Sequence, residues 1–368
     1  MKKRPCLKAA GGIAALICLL FLSGTVSGYD LTDKFSIGGV IAGVYQYQWV
    51  DGDDNLGRGA LPFQPEFSFR PTEHDEFFAN FGFAAGNGLN GVTEFNLAPW
   101  AADLEDDVKD INGRNRDYLL TVWYKHTFAL GQNNVLGIAG GIVDATAYID
   151  ENAFSNDEYT QLMNQALVNA PNGFAPSYDI GGAAEWEVGS WDITAVGMNV
   201  GENDDGNNYN FFAAQIGYKL NTALGEGNYR VIGQMTSKEF LDENGKKEKL
   251  MGAFISFDQQ LGEIFGAWIR CGWQDDQVLI DYDTLFSGGL NITGKWYGRG
   301  EDNIGLGYAY LNGKNDYDYT QVAEVYWRFV LNEYVAATAD LQYMEEKFKT
   351  SRDDLDGIIG GVRVTTEF

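Results

Sequence analysis

Cysteine, histidine, proline and positive charge are all scarce in this chain of 368 residues. Two of the three cysteines, Cys6 and Cys18, fall within the first 28 residues, so loss of that segment leaves only Cys271 and no intramolecular disulfide. Two histidines, His74 and His126, provide almost no material for a Ser-His-acid triad or a His-ligated metal. His74 lies in the turn Pro71–Asp75 and His126 beside Lys125 near a strand end, so both read as surface positions. Lys+Arg number 26 against 52 Asp+Glu, a net charge of −26, which repels nucleic acid. After residue 28 no stretch approaches the ~18–20 uncharged apolar residues of a spanning helix, so a polytopic helical protein is excluded. Pervasive disorder is excluded as well, because 45 % of the chain is hydrophobic and 14 % aromatic.

The first 28 residues have the three parts of a secretory signal: basic Lys2, Lys3, Arg4 and Lys8, an apolar run Ala9–Leu22, and small residues ending at Val26 and Gly28. The expected division is a signal peptide over 1–28 and one domain over 29–368. Export removes four of the 26 cations and no acid, leaving 22 against 52, a net −30. An exported chain of this size without a disulfide must gain its stability elsewhere.

Period-two alternation supplies it. From Phe35 to Trp49 the odd positions carry Phe35, Ile37, Ile41, Tyr45, Tyr47 and Trp49, while Ser36, Gln46 and Gln48 fall between them. The pattern recurs in 61–70, 136–142, 229–236, 250–258, 265–274, 321–331, 335–343 and 357–368, and roughly 16 such stretches are joined by Gly/Asn/Asp-rich turns. About 21 residues per strand and connection suits a transmembrane barrel, whose strands need about 9–11 residues to cross. Aromatics near strand ends (Trp49, Trp186, Trp191, Trp273, Tyr343) suit its interfacial girdles. The expected fold is therefore all-β, a transmembrane antiparallel β-barrel of about 16 strands. A soluble secreted carbohydrate-binding sandwich would alternate in the same way. The closing strand, with Val362, Val364, Thr366 and Phe368 in register, resembles the terminal signal read by the outer-membrane insertion machinery.

Two segments break the rhythm. Residues 86–116, with Glu105-Asp106-Asp107 and Asp110, read as an extended acidic surface loop. In 143–178 the residues Phe154, Tyr159, Leu162, Met163, Ala166 and Leu167 recur at helical spacing, and Pro171 follows. This predicts a short amphipathic helix within Asp150–Ala170, on a loop folded into the lumen.

Gly140-Gly141-Ile142-Val143-Asp144-Ala145, continuing through Tyr148-Ile149-Asp150-Glu151-Asn152 and Phe154-Ser155-Asn156-Asp157, resembles the OprB-type carbohydrate-selective outer-membrane porin family. So do Gly298-Arg299-Gly300-Glu301-Asp302-Asn303 with Gly305-Leu306-Gly307, the pair Glu324/Tyr326, and the closing Asp340-Leu341-Gln342-Tyr343 with Gly360-Gly361-Val362-Arg363 and Phe368. The chain departs from that pattern after Tyr343, where Met344-Glu345-Glu346-Lys347 replaces an Asn-Pro-Gly-like turn. The resemblance implies a 16-stranded barrel that admits small sugars by facilitated diffusion through a charged constriction. Its expected partners are sugars and ions, outer-membrane lipid and lipopolysaccharide, and the insertion machinery through Phe368. A homo-oligomer fits the class, although no run of residues marks a subunit interface.

The expected constriction residues are Asp150, Glu151, Asn152, Asp157, Tyr159 and Gln161 on the infolded loop. They would stand opposite a transverse field from Arg70, Arg230, Arg270 and Arg328. The alternative on the same barrel is a general or cation-preferring ion porin, which the acid excess favours. No catalytic residue, cofactor or metal is expected. Asp51-Gly52-Asp53-Asp54-Asn55 fails as a calcium loop at Leu56, and Gly298-x-Gly300 fails as a dinucleotide fingerprint at Asn303.

Overall fold

Alternating sequence becomes strand wherever one face can meet an apolar surface and the other a polar one. The computed structural model describes residues 29–51 and 54–368. The signal-peptide reading over 1–28 lies outside the described residues, as do Gly52 and Asp53 of the first acidic turn. A short strand, Tyr29–Thr32, leads into a closed antiparallel barrel of 16 strands. We number them β1 (Phe35–Asp51), β2 (Leu56–Phe69), β3 (Asp75–Phe81, continuing as Phe83–Ala85) and β4 (Leu119–Gly131). Next come β5 (Asn134–Val143), β6 (Asp179–Val188), β7 (Trp191–Val200) and β8 (Tyr209–Thr222). The third quarter is β9 (Gly225–Thr236), β10 (Met251–Leu261), β11 (Phe265–Gln274) and β12 (Tyr282–Thr293). β13 (Asn303–Gly313), β14 (Tyr317–Val330), β15 (Val335–Phe348) and β16 (Leu355–Glu367) complete the wall.

Each strand pairs with its sequence neighbours, and β1 also pairs with β16 from Val40↔Glu367 to Asp51↔Asp356, so the sheet has no edge. Phe368 adds a reciprocal backbone pair with Gly39, at 2.9 and 3.1 Å. Gly39 has φ +142°, and a Cβ there would stand 2.2 Å from the Gln64 carbonyl oxygen, so only glycine fits this closure point. Where the family pattern would turn, Met344–Lys347 instead continues β15, with Met344 fully sealed on the inner face.

Register fixes the two faces. Outward positions carry Tyr45, Ile138, Ile180, Phe212, Ile216, Val231, Phe286 and Val362, all exposed and forming an apolar band. Inward positions carry Gln46, Thr194, Gln215, Arg230, Asp258, Arg270, Glu324, Gln342 and Arg363, all buried. This inversion of the soluble rule is what hydrocarbon outside and polar lumen inside require. Among the described residues no helix is long and apolar enough to cross a membrane, so any crossing falls to strands.

One rim carries short turns, such as 132–133, 189–190 and 223–224; the other carries the longer connections, chiefly 86–118 and 144–178. Both long connections fold into the lumen. The first is not the surface loop that its acidity suggests: Leu89, Phe95, Leu97, Trp100, Leu104 and Val108 are buried. Apolar residues every few positions outweigh the scattered acids, which are short enough to hydrogen-bond locally.

The second connection enters the barrel after the fifth strand, as expected, but its helix shrinks to one turn, Gln165–Val168. Side chains of Asp144, Asn152, Asp157 and Asn164 each accept from the backbone N–H two residues on. Such Asx turns compete with helical hydrogen bonds and keep the segment irregular.

Ile216 faces outward near the middle of β8, so Ile216→Arg is expected to destabilise the barrel by ~2–4 kcal/mol. Urea titration of the protein folded in lipid vesicles measures it.

Candidate functional site: the constricted lumen

Two cationic side chains fix where the 144–178 loop lies. Arg270 of β11, fully buried, donates Nε–H to Asp150 Oδ1 at 2.8 Å and Nη1–H to the Leu167 carbonyl at 3.0 Å and Ser155 Oγ at 3.1 Å. Its other nitrogen donates to the Ser155 carbonyl. One guanidinium thus gathers three separated points of the loop, which its planar fork of five donors allows and a lysine would not. Arg363 of β16 does the same further along, donating to the carbonyls of Glu158 at 2.6 Å and Gln161 at 3.0 Å.

Wall acceptors complete the anchorage. Glu324 of β14 accepts from the Met163 and Asn164 N–H groups at 2.6 and 2.9 Å. Gln342 of β15 meets Asn164 at 2.9 Å and donates to the Pro99 carbonyl at 2.9 Å, which ties in the 86–118 loop. The loops also bind each other through Ala101 N–H to Met163 O (2.9 Å), Gln165 N–H to Ala98 O (3.0 Å) and Trp100 Nε1–H to Glu158 O (2.9 Å). Leu162 and Leu167 land on Gly307, and Phe154 on Gly266, where an added Cβ would lie 2.3 Å from its ring. Each fully buried apolar side chain of this layer contributes roughly 1.5–3 kcal/mol.

The 144–178 loop therefore lies against one side of the barrel, while the 86–118 loop crosses to the other, with Gln46 of β1 donating to the Pro99 carbonyl at 3.2 Å and Arg114 pairing with Asp179 of β6 at 3.2 Å. Inward residues of β10–β16, including Ser256, Leu285, Ala309, Val322, Glu324 and Gln342, are sealed beneath them. The opposite wall keeps open surface at Glu66, Ser68, Glu76, Lys125, Glu185 and Asp192, with Glu151 exposed on the loop facing it. Lys125 pairs with Glu185 at 2.5 Å, and Arg70 with Glu76 at 2.8 Å. Among the described residues Glu66, Asp192 and Glu151 make no ion pair, so the open crescent is acidic.

The expected site residues divide accordingly. Asp150, Asn152 and Tyr159 are buried, and the first two anchor the loop: Asn152 donates to Ser256 Oγ at 3.2 Å. Glu151, Asp157 and Gln161 retain exposure, although Gln161 Nε2–H is held by the Ala153 carbonyl at 3.0 Å. The four arginines do not converge on a field. Arg230 is locked to Asp258 at 2.6 Å, Arg270 to Asp150, Arg70 to Glu76, and Arg328 to Glu367 at 2.7 Å near the short-turn rim. In a low-dielectric wall a cation is neutralised by its nearest carboxylate before it can act across a lumen.

Sequence reading missed the 86–118 loop as a lumen element, and with it Asp103. That carboxyl accepts from Tyr178 OH at 2.6 Å and Gln64 Nε2–H at 2.7 Å. Burial, with Asp107 and Asp144 nearby, nevertheless pushes its pKa up to about 7. Glu158 on the facing loop is raised well above the ordinary range by burial and by Asp157 and Asp103. The signal available was the spacing of Leu97, Trp100 and Leu104 around Asp103, which no solvated loop needs.

His126 and His74 sit at the short-turn rim. His126 Nδ1 is 2.8 Å from Asp75, whose carboxyl also accepts from Tyr124 OH at 2.5 Å and from Thr72 Oγ1, and the imidazole rings are 6.2 Å apart. No group of three or more His, Cys, Asp or Glu among the described residues has metal-binding geometry.

No protein-family model matches the sequence. An uncharacterized protein of Aquifex aeolicus (strain VF5) is 31 % identical over 280 residues, covering 74 % of this chain and 79 % of that protein. The high-pH structure of Pseudomonas putida OprB superposes with a TM-score of 0.70 at 15 % identity, over 91 % of this chain and 94 % of that one. The outer membrane channel DcaP of Acinetobacter baumannii superposes with a TM-score of 0.57 at 9 % identity, over 93 % of this chain and 100 % of that one. These likenesses are of fold: the chain has the 16-stranded barrel of outer-membrane porins.

Two outcomes follow from this geometry. Arg270→Met leaves Asp150 buried without its partner, an expected cost of about 3–5 kcal/mol, seen as new protease cleavage within 144–178 and a larger single-channel conductance. Asp150→Asn in the same chain restores part of the loss. Between the usual carboxylate range and about 7 the folded chain holds a proton on Asp103 that the unfolded chain releases. Rising pH through that window therefore lowers stability and adds a negative charge beside the lumen. Reversal potentials in a KCl gradient should grow more cation-selective from about pH 6 to 8, and Asp103→Asn should reduce the change.

Proposed function

Because this chain belongs to the same family as the Aquifex aeolicus protein and has the porin fold, we propose that it is an outer-membrane porin of the OprB-type carbohydrate-selective class. It passes small sugars and comparable hydrophilic solutes down their gradients, without catalysis or a bound cofactor. The observation that carries this reading is the lopsided lumen. The 144–178 loop is pinned to the β10–β16 wall, the 86–118 loop reaches from Gln342 of β15 past Gln46 of β1 to Gln64 of β2, and a polar crescent stays open toward the short-turn ends of β2–β7. Such a passage excludes by size and wets its solute with carboxylate and hydroxyl groups, binding weakly enough for release.

In the same reading residues 1–28 are a cleaved export signal and 29–368 the barrel. Phe368 is the mark for insertion, and the outward apolar band meets lipid with lipopolysaccharide at the loop rim. Loop residues Glu151, Asp157 and Gln161 form the solute-facing edge of the constriction. Asp150, Asn152, Tyr159, Arg230 and Arg270 hold its shape, while Arg70 and Arg328 act at the short-turn rim. A cation-preferring ion porin is the second reading, favoured by the unpaired Glu66, Asp192 and Glu151.

Planar-bilayer conductance of the purified protein under a sugar titration separates the two. Concentration-dependent block by glucose or maltose is expected from the first reading. A steady, cation-selective current indifferent to every sugar leaves the ion porin.

A further inference from the structure

At the loop rim, apart from the acidic crescent, lies a cavity of about 530 Å³. Its size falls in the range of roughly 300–1,000 Å³ that small-molecule sites occupy. The tail of the infolded loop forms one side with Phe174, and the 237–250 connection forms another with Phe240; Tyr209 and Tyr282, the first residues of β8 and β12, stand behind them.

The two phenylalanines keep ring surface open, and their neighbours hold them still. Tyr209 meets Phe240 edge-on with centroids 4.9 Å apart, and Phe211 meets Phe174 edge-on at 6.3 Å. Both also pack against Leu250, Val278 and Ile280. Phe174 adopts φ 37°, a conformation that bulky residues rarely take and that surrounding structure must impose. Beneath this turn, Gln234 is 6 % exposed, with neither end of its amide hydrogen-bonded among the described residues. Its Nε2 would lie 3.4 Å from a Cβ at Gly173.

The polar lining narrows the ligand. Amides come from Asn96, Gln165 and Gln274, and carboxylates from Glu202, Asp204 and Asp281; among the described residues no Lys, Arg or His lines the cavity. A phosphorylated or carboxylated solute would meet three like charges without a counter-charge. A hydrocarbon would strip water from amides and carboxylates and return no hydrogen bond. A neutral sugar satisfies both constraints, laying its C–H face on Phe174 and Phe240 and its hydroxyls against the amides and carboxylates.

We propose that this cavity is a vestibular capture site for neutral sugars. It is separate from the constriction, and it concentrates solute at the loop rim while turning anionic sugars away. The inference rests on the sugar-porin reading above and adds to it where and how sugars are first bound.

The test uses the full purified protein in planar bilayers, with maltose or glucose 6-phosphate added on the loop side. Maltose should block the wild-type channel, and glucose 6-phosphate should not. Phe240→Ala should weaken the maltose block about fivefold with KCl conductance unchanged. Phe240→Leu serves where the alanine variant fails to give the heat-resistant folded band. Unaltered maltose block in a folded Phe240 variant, or block by glucose 6-phosphate as tight as by maltose, overturns the vestibular site and leaves the sugar porin standing. Absence of block by maltose overturns the vestibular site as proposed, and absence of block by both maltose and glucose in the unsubstituted protein overturns the sugar reading itself.

Discussion

A sheet that crosses hydrocarbon must leave no backbone N–H or C=O without a partner, because each one costs several kcal/mol in a medium that cannot hydrogen-bond. Pairing of the last strand with the first meets that constraint here, running unbroken from Val40 opposite Glu367 to Asp51 opposite Asp356. Everything else is conditional on this closure. It fixes register, register fixes which side chains face lipid, and the remainder are committed to a lumen that has to be filled or wetted. The required close approach at Gly39, and the exchange of hydrogen bonds between Gly39 and Phe368, place the constraint on a few atoms.

A closed wall of this size encloses more space than its own side chains fill. The chain fills much of it with two of its own loops. The fillers are mainly backbone carbonyls and N–H groups presented to wall side chains, with Arg270, Arg363, Glu324 and Gln342 as the receiving ends. Buried backbone polar groups need partners as much as buried charges do, so an irregular loop and a charged wall satisfy one another. The glycines at 266 and 307 matter for the same reason, since they let apolar loop side chains approach the wall closely. Fixing the 144–178 loop to β10–β16 leaves the open passage toward the short-turn ends of β2–β7, so selectivity is set by the inward surface that the loops leave uncovered.

Charge follows the same logic. Of 52 carboxylates against 26 cations, some buried ones are spent in pairs such as Arg230 with Asp258 and Arg270 with Asp150, and others, such as Glu324, on loop N–H groups. The acidic excess therefore appears where water reaches, along the crescent and at the loop-rim cavity, whereas burial favours the protonated carboxyls of Asp103 and Glu158 on the infolded loops. An acidic chain with neutralised arginines disfavours anions at each of these places.

Strand alternation determined the barrel, because period two is a local property that survives any tertiary arrangement: the stretch 265–274 is legible alone and coincides with β11. The entry of the 144–178 loop after the fifth strand was legible as well, from its apolar residues amid turn formers. Its helix was overestimated, because spacing does not reveal that Asp144, Asn152, Asp157 and Asn164 bind their own backbone. The burial of 86–118 and the neutralising of Arg230 and Arg270 were not legible. Both depend on contacts between residues distant in the chain, 243 positions apart in the case of Gln342 and Pro99, and period-two patterning says which way a side chain faces but not what meets it. The sequence by itself determined a strand-built wall with a polar interior. Only the tertiary structure decided which part of that interior stays open, because that choice is made by hydrogen bonds between distant segments brought together by closure.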